Sequence, residues 1–383
     1  MPSLASRRAM STVRTRRRSS YARGLAAGMI NGQASMTGPS GAEEGTMAGR
    51  LSAAAAGARA LASISAGAGL VLGMATVPGT AWAADVYPSR PVRVVVPFTP
   101  GASNDIIGRL LAQKLSDAWG QTVLVDNRPG AGGALGAALV AKGTPDGYTL
   151  LVTNPGPTVN HVVLSAKPQF TMAELAPVIF IGYSPLIIVA NPAFPPRNAR
   201  ELVEHAKANP GKINWGSAGN NSNLHTALEV FKAATGIQAT HVPYKGTGPS
   251  LADIAGGQIQ LMFTTWVSAE SLVKAGRLRV LSTAGAKRMA SLPNVPTFQE
   301  QGIKGADAIV WFGLDAPGKT PRAVVERINA DVDKVLAMPD VRARFDTLGI
   351  EIEGGPPARY AELLKSEVAR LARLVKAGAL QVD

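Results

Sequence analysis

From residue 85 onward, short apolar runs alternate with segments whose apolar residues recur at helical spacing. The first run, at 92–96, is rich in β-branched residues and ends at a proline, as expected for a strand that is buried on both faces. Ser103 then provides a helix N-cap, and apolar side chains follow on one helical face. Further strands at 122–125 and 148–152 complete a βαβαβ start, which indicates a parallel sheet with helices on both faces.

A longer apolar run at 178–190 is interrupted by Ser184-Pro185 and predicts a strand that leaves one sheet and enters another. A second series of strands and helices follows, and the apolar segment 309–314 predicts a return crossing. The last predicted helix, near 357–377, is amphipathic. The predicted fold class is therefore α/β, with two lobes joined by a two-strand hinge. The ligand cleft is expected between the lobes, where the carboxyl ends of the strands meet.

The same pattern divides the chain into segments. These are 1–83, an N-terminal extension with a signal peptide; 84–186, the first part of lobe 1; 187–308, lobe 2; and 309–383, the completion of lobe 1 with the C-terminal helices.

Export is predicted from the N-terminal segment. Its apolar run at 64–77 follows basic residues and is too short for a stable membrane anchor. Ala81-Trp82-Ala83 has the small-x-small form that signal peptidase accepts, so cleavage is expected near Ala83. An uncleaved anchor is the alternative. Whether translation starts at Met1 or Met47, and whether export follows the Sec or the twin-arginine route, is left open by the sequence.

Composition narrows the function classes. The formal net charge is +13, but more than half of this excess lies in residues 1–84, and no stripe of basic residues interleaved with aromatic residues follows. We therefore expect no nucleic-acid partner. The chain has no cysteine, which excludes disulfides, thiolate catalysis and cysteine-ligated zinc. The four histidines show no metal-ligand spacing, and we expect no metal and no cofactor.

Two strand-to-helix loops are dense in glycine and small polar residues, at 97–105 and 216–225. Such loops point backbone N–H groups at a ligand, and a helix N-terminus favours negative charge. The alternative is a plain tight turn in the first loop and a solvated cap in the second. Asp105 would repel an anion, so we expect it to order its loop or to hold water or a ligand hydroxyl or amine.

Two phosphate-binding patterns fail on inspection. The glycine-rich segment 130–136 has Leu135 where the dinucleotide fingerprint needs its third glycine, so packing of a loop against a helix beside the cleft is the better interpretation. The segment 313–320 matches a P-loop formally, but Pro317 removes an N–H group from the supposed phosphate cradle.

Several ordered motifs together resemble one family. They are Tyr87-Pro88, Pro97-Phe98-x-Pro100-Gly101 with Asp105, Asn127-Arg128-Pro129-Gly130, Pro145-Asp146-Gly147-Tyr148, Gly216-Ser217-x-Gly219 with His225, Val242-Pro243-Tyr244-Lys245-Gly246, and Pro293-x-Val295-Pro296-Thr297. Over essentially all of 85–383 the chain resembles the Bug/TctC family, the periplasmic solute receptors of tripartite tricarboxylate transporters. The resemblance implies a type II periplasmic-binding-protein fold and a carboxylate held between the lobes, partly through water. Membrane permease subunits are possible partners, and whether they exist for this receptor is left open by the sequence.

The resemblance also implies which residues contact the ligand. They are Phe98, Pro100, Gly101, Ala102, Ser103 and Asp105 in the first loop, and Ser217, Gly219, Ser222 and His225 in the second. Asn154 and Asn220 are further candidates. Family members usually have two glycines after Pro100, whereas this chain has Gly101-Ala102. The added Cβ of Ala102 would narrow the pocket or demand a different backbone angle.

The expected function is capture of a small carboxylate metabolite for uptake by a periplasmic, monomeric binding protein that is not an enzyme. The alternatives are an exported hydrolase that pairs Ser217 or Ser222 with His225, and an exported sensor without a transport role. The sequence does not name the ligand. No Arg or Lys lies in either loop, so we expect recognition by backbone N–H groups, hydroxyls and ordered water, with no role for Arg109.

Overall fold

The computed structural model describes residues 87–382. The predicted N-terminal extension, signal peptide and cleavage site lie outside the described residues. Among the residues described, no helix combines the length and the hydropathy that a membrane span requires.

The elements alternate along the chain much as the apolar pattern predicts. The strands are β1 (Val92–Val96), β2 (Val123–Asn127), β3 (Thr149–Thr153), β4 (Leu175–Pro185), β5 (Ile187–Ala190), β6 (Asn214–Ser217), β7 (Thr240–Pro243), β8 (Leu261–Thr264), β9 (Arg279–Thr283), β10 (Ile309–Pro317) and β11 (Glu351–Ile352). The helices are α1 (Ser103–Trp119), α2 (Ala134–Ala141), α3 (His161–Leu164), α4 (Ala199–Ala208), α5 (Asn223–Thr235), α6 (Thr247–Ala255), α7 (Trp266–Lys274), α8 (Arg322–Ala337), α9 (Pro339–Thr347) and α10 (Pro357–Lys376).

The strands form two sheets. The first has the order β11-β4-β10-β3-β1-β2, in which β1 is parallel to β2 and β3, and β10 is antiparallel to β3 and β4. The second has the order β7-β6-β8-β5-β9, in which β6 is parallel to β7 and β8, and β5 is antiparallel to β8 and β9. We call the first sheet with its helices lobe 1, and the second sheet with its helices lobe 2. Strands from both ends of the described chain share the sheet of lobe 1.

The crossing between the lobes is short. Only Leu186 separates β4 of the first sheet from β5 of the second. Its N–H donates to Ala308 O at 3.0 Å, its carbonyl accepts from Ala284 N at 2.7 Å, and Ala308 N donates to Ala284 O at 3.0 Å. These backbone hydrogen bonds tie together three segments at the point where the chain passes from one lobe to the other.

Each lobe has an apolar interior built from the predicted runs. In lobe 1, α1 buries Ile107, Leu111 and Leu115, and β1 is buried along most of its length. In lobe 2, the rings of four aromatic residues pack with centroids 5.2–6.2 Å apart, namely Trp215, Phe231, Phe263 and Phe298. Burial of such large side chains is the main favourable contribution to folding.

Two local predictions are wrong or incomplete. Ala102, and not Ser103, occupies the N-cap of α1, and no side chain caps this helix. The segment Gly156–Asn160 forms a π-helical turn that the apolar pattern did not indicate.

Candidate functional site

A small cavity lies between the lobes at the carboxyl ends of several strands. Its volume, as space open to the centre of a water molecule, is about 20 Å³, roughly enough for one water. The lining side chains are Phe98, Ala102, Ser103, Asn104, Asn154 and Val310 from lobe 1, and Ala218, Ser222, Asn223, Leu224, Thr247, Thr264 and Thr265 from lobe 2. None of these lining residues is charged.

Four helices begin at this cavity. They are α1 at Ser103, α5 at Asn223 after its N-cap Ser222, α6 at Thr247, and α7 after its N-cap Thr265. The first N–H groups of a helix have no acceptor within the helix, and the helix dipole places partial positive charge at this end. The arrangement therefore concentrates positive potential and hydrogen-bond donors in the cavity without a cationic side chain.

The wall from lobe 1 is a fixed network of amides. Asn104 Nδ2 donates to Val152 O at 3.0 Å, and Asn154 Nδ2 donates to Asn104 Oδ1 at 2.8 Å. Gly156 N in turn donates to Asn154 Oδ1 at 3.0 Å. Because each Nδ2 carries a second hydrogen, both amides can donate to a ligand oxygen without leaving the network.

The wall from lobe 2 contains polar atoms that lack a partner among the described residues. Asn223 Nδ2 and Thr264 Oγ1 are both buried, and neither makes a hydrogen bond within this part of the chain. A buried polar group without a partner costs about 1–3 kcal/mol. The two groups therefore mark places where an oxygen-rich ligand would stabilise the site.

Residues 107–380 of the chain match the sequence model of a protein family, the tripartite tricarboxylate transporter family receptor, TctC. The chain belongs to this family. The predicted fold and the predicted role as a solute receptor are therefore confirmed, and the family is one of periplasmic proteins.

Individual relatives agree with this assignment. Protein BugT of Bordetella pertussis is 32% identical over 295 residues, which are 76% of this chain and 90% of BugT. The structure of R. palustris Rpa4515 with adipate is 32% identical, covers 77% of this chain and 99% of its own, and has a TM-score of 0.74. The structure of MatC from Rhodopseudomonas palustris with bound malate is 31% identical, covers 76% of this chain and all of its own, and has a TM-score of 0.72.

The receptor brings some of the predicted ligand-binding residues together and leaves others outside the cavity. Phe98, Ala102, Ser103, Asn154 and Ser222 line it. Those outside its lining are Pro100, Gly101, Asp105, Ser217, Gly219, Asn220 and His225.

Ala102 narrows the cavity without strain. It has φ −69° and ψ 156°, ordinary values for any residue, whereas Gly101 before it has φ +83°. The side chain of Ala102 is among those that line the cavity. The side chain of Ala102 thus takes up space at the cavity wall, in line with the expected narrowing, at a backbone angle open to any residue.

Asp105 orders the first loop. Its Oδ2 accepts from Gly101 N at 3.0 Å, and its Oδ1 accepts from Asn127 Nδ2 at 3.0 Å and lies 2.9 Å from Arg109. Burial raises the pKa of Asp105, but the hydrogen bonds from Arg109, Gly101 and Asn127 outweigh burial, so that this pKa lies below its ordinary value. The carboxylate stays ionised and its charge is neutralised by Arg109, away from the cavity.

Ser217 lies behind the cavity wall and is fully buried. Its Oγ lies 2.6 Å from His241 Nε2 and accepts from Gly219 N at 3.1 Å. Burial, followed by the nearby charges of His225 and Lys232, lowers the pKa of His241 to about 4, so this imidazole is neutral near pH 7. Because Ser217 contacts His241 and is closed to solvent, the pair holds the loop after β6.

Ser222 meets His225 through the backbone. Its Oγ accepts from His225 N at 3.3 Å, as an N-cap does. The ring of His225 accepts from Asn221 N through Nδ1 at 3.2 Å and stacks on the His241 ring with centroids 3.9 Å apart. Neither contact is the hydroxyl-to-imidazole hydrogen bond that the hydrolase alternative requires.

Several residues that line the cavity were not predicted from the sequence. Asn104 and Asn223 are neighbours of predicted residues, so the two loops do mark this part of the wall. Thr264 ends β8, Thr265 follows it, and Thr247 follows β7. Their only signal in the sequence is this position near the carboxyl ends of strands.

Glycines allow the two lobes to touch beside the cavity. A Cβ on Gly132 would overlap Asn220 O of the opposite lobe, and a Cβ on Gly156 would lie 3.0 Å from Asn223 N. The glycine-rich loop at 130–136 therefore packs beside the cleft, as predicted. The two lobes are in contact there, so this is a closed form of the receptor.

Proposed function

We propose that this receptor captures a small carboxylate in the cleft and delivers it to membrane permease subunits of a tripartite tricarboxylate transporter. The observation that carries the proposal is the meeting of four helix N-termini at a cavity lined by uncharged side chains. Such a site stabilises an anion through N–H groups and helix dipoles. The adipate and malate bound to related receptors are carboxylates of the same class.

Capture requires the lobes to open and close. The closed cavity of about 20 Å³ has room for about one water, so ligand entry needs a wider form. In the closed form, lobe 1 contributes the N-terminus of α1 with Asn104 and Asn154, and lobe 2 contributes Ser222, Asn223 and Thr264. Each lobe alone offers only part of these contacts, so binding favours closure.

We also propose that the mature receptor begins near Ala84, acts in the periplasm as a monomer, and has no catalytic activity. N-terminal sequencing of the exported protein tests the cleavage site, and light scattering of the purified receptor tests its oligomeric state. A mature chain that retains the segment before Ala84, or a stable dimer, contradicts these two statements.

A thermal-shift screen tests the function. The panel contains mono-, di- and tricarboxylates, amino acids and aromatic acids, with the corresponding amides and alcohols as uncharged controls. A ligand present at 100 times its Kd raises the free energy of unfolding by about 2.7 kcal/mol, and we expect this from carboxylates but not from their amides. Mass spectrometry of ligand that survives native purification identifies the natural compound.

Two outcomes contradict the proposal. Recovery of chemically altered ligand after incubation favours the hydrolase alternative. Stabilisation by none of the carboxylates, with a natively folded receptor, removes the capture function.

A further inference from the structure

Beside the cavity, the two lobes are joined by hydrogen bonds that centre on Asn160. This residue ends the π-helical turn of lobe 1 and is 1% exposed. Its Nδ2 donates to Asn221 O at 3.1 Å and to Thr226 Oγ1 at 3.2 Å, both in lobe 2. In return, Asn221 Nδ2 donates to Leu164 O of lobe 1 at 3.4 Å. We call Asn160, Asn221 and Thr226 the interlobe clasp.

The clasp does not belong to the ligand-binding wall. None of its three residues lines the cavity. Its contribution to binding therefore comes from the relative position of the lobes and not from contact with the ligand.

Uncommon backbone conformations meet at the clasp. A π-helical turn is rare and occurs often at functional sites, and Asn160 N closes this one by donating to Pro155 O at 2.8 Å. Asn221 has φ +57°, and among the residues described only one other non-glycine residue, Ala131, has a positive φ. Conformations of this kind persist when the surroundings hold them in place. Each lobe thus contributes one uncommon backbone conformation to the contact.

The lobe 2 acceptors are fixed by their own lobe. Asn221 N donates to His225 Nδ1 at 3.2 Å, which helps to hold in place the residue whose carbonyl Asn160 reaches. Thr226 Oγ1 donates toward Asn223 O at 3.0 Å, so its lone pairs can accept from Asn160. Separation of the lobes breaks both hydrogen bonds from Asn160 but leaves these supports within lobe 2 intact.

We propose that Asn160 is a positioning residue, which sets the balance between open and closed receptor and thereby the apparent affinity for the ligand. The first part concerns the ligand-free protein alone, and the second part rests on the proposed function. The ligand enters an open form and is then held by the closed lobes, so the apparent Kd rises as the closed form becomes less stable relative to the open form. Loss of two hydrogen bonds that exist only in the closed form should lower the closed-to-open ratio about tenfold.

The test compares Asn160→Ala with a matched control, Asn329→Ala. Asn329 Nδ2 also donates two hydrogen bonds, to Val178 O at 2.9 Å and Gly355 O at 2.8 Å, but both acceptors lie in its own lobe. Both variants lose an amide with two donated bonds, and only the first loses contacts between lobes. Thr226→Val, which removes one acceptor from lobe 2 and nearly preserves shape, is a second clasp variant.

Interlobe distances are measured by spin labels in the absence of ligand. The natural chain has no cysteine, so Gln113→Cys on α1 and Lys207→Cys on α4, both exposed, give one labelled pair across the lobes. We expect Asn160→Ala, and to a smaller extent Thr226→Val, to shift the population toward longer distances. Asn329→Ala should leave the distances unchanged, even if it lowers Tm.

The affinity for adipate and for malate is measured on the same proteins. A weaker affinity in proportion to the loss of closed form supports the second part of the proposal, and an unchanged affinity despite such a loss overturns it. Unchanged distances in both clasp variants, or an equal shift in Asn329→Ala, overturn the first part. If no carboxylate of the panel binds the parent receptor, the proposed function fails, while the distances still decide the role of the clasp.

Discussion

A methyl group at Gly132 tests whether the contact between the lobes controls binding. Gly132 has φ +62°, and a Cβ there would overlap Asn220 O and lie 3.1 Å from Ser222 N. Both atoms belong to lobe 2, whereas Gly132 belongs to lobe 1. The substitution Gly132→Ala therefore introduces a steric conflict that exists only when the lobes are closed.

The expected magnitude has two parts. Alanine in the left-handed region costs about 1–2 kcal/mol relative to glycine, and this cost applies to the open and the closed form alike. Overpacking against a fixed backbone costs typically about 1–3 kcal/mol, and this cost applies to the closed form only. We therefore expect an affinity about 5- to 150-fold weaker for the carboxylate identified by the screen.

Gly120→Ala is the matched control. Gly120 has nearly the same angle, φ +63°, at the C-cap of α1, but a Cβ there has nothing within 4 Å. It should lose a similar amount of free energy of unfolding and none of the affinity. Urea denaturation and titration calorimetry on both variants separate the two parts. Control of binding by the contact between the lobes is refuted if Gly132→Ala binds as tightly as the parent receptor, or if Gly120→Ala loses as much affinity as Gly132→Ala.

Three further predictions concern pH and the site. Because the pKa of His241 is lowered from 6.5 to about 4, the folded state binds fewer protons than the unfolded state between these pH values, and stability is lost as pH falls. In urea denaturation at several pH values, His241→Gln should lose less stability than the parent over this range, by on the order of 1 kcal/mol after allowance for partial solvent exposure. Burial raises the pKa of Asp315 in the folded state well above its ordinary value, so stability is lost as pH rises through this raised pKa. The Asp315→Asn variant should therefore be more stable than the parent at neutral pH, and equal stability of the two proteins there would contradict the prediction. Ser222→Ala removes the N-cap of α5 and a hydroxyl of the cavity wall, and it should weaken ligand binding by about 1–3 kcal/mol in calorimetry. Arg109 lies outside the cavity, so the Arg109→Gln variant should have an affinity within about twofold of that of the parent receptor.

Much of the fold follows from local sequence. The run at 92–96 and the apolar face of α1 predict a buried strand and its helix, because period and β-branching are local properties. The break at Ser184-Pro185 coincides with the place where β4 gives way to β5. The π-helical turn Gly156–Asn160 escaped prediction, since it is held by contacts with the opposite lobe that no local pattern encodes.

The cavity was only partly predictable for a similar reason. The glycine and small residues of the loop after β1 predict a ligand site there, and Ser103 and Ala102 do line the cavity wall. Thr264 stands at the end of an ordinary apolar strand, and only the topology of lobe 2 brings it there. Ser217 has the residue type and the sequence position expected of a ligand contact, but its side chain points to His241 on the neighbouring strand. Side-chain direction at a strand end depends on the pleat, which a list of residue types does not fix.

The four helix N-termini at the cavity are distributed unequally. Lobe 1 supplies α1 alone, whereas lobe 2 supplies α5, α6 and α7. When the receptor opens, most of the attraction for an anion stays with lobe 2. Binding and release then have a preferred order. The anion contacts lobe 2 first when it binds, and its contacts with lobe 1 break first when it is released. In a structure of the open receptor soaked with ligand, the anion would be bound to lobe 2. Lobe 2 thus holds the anion, and lobe 1 closes over it.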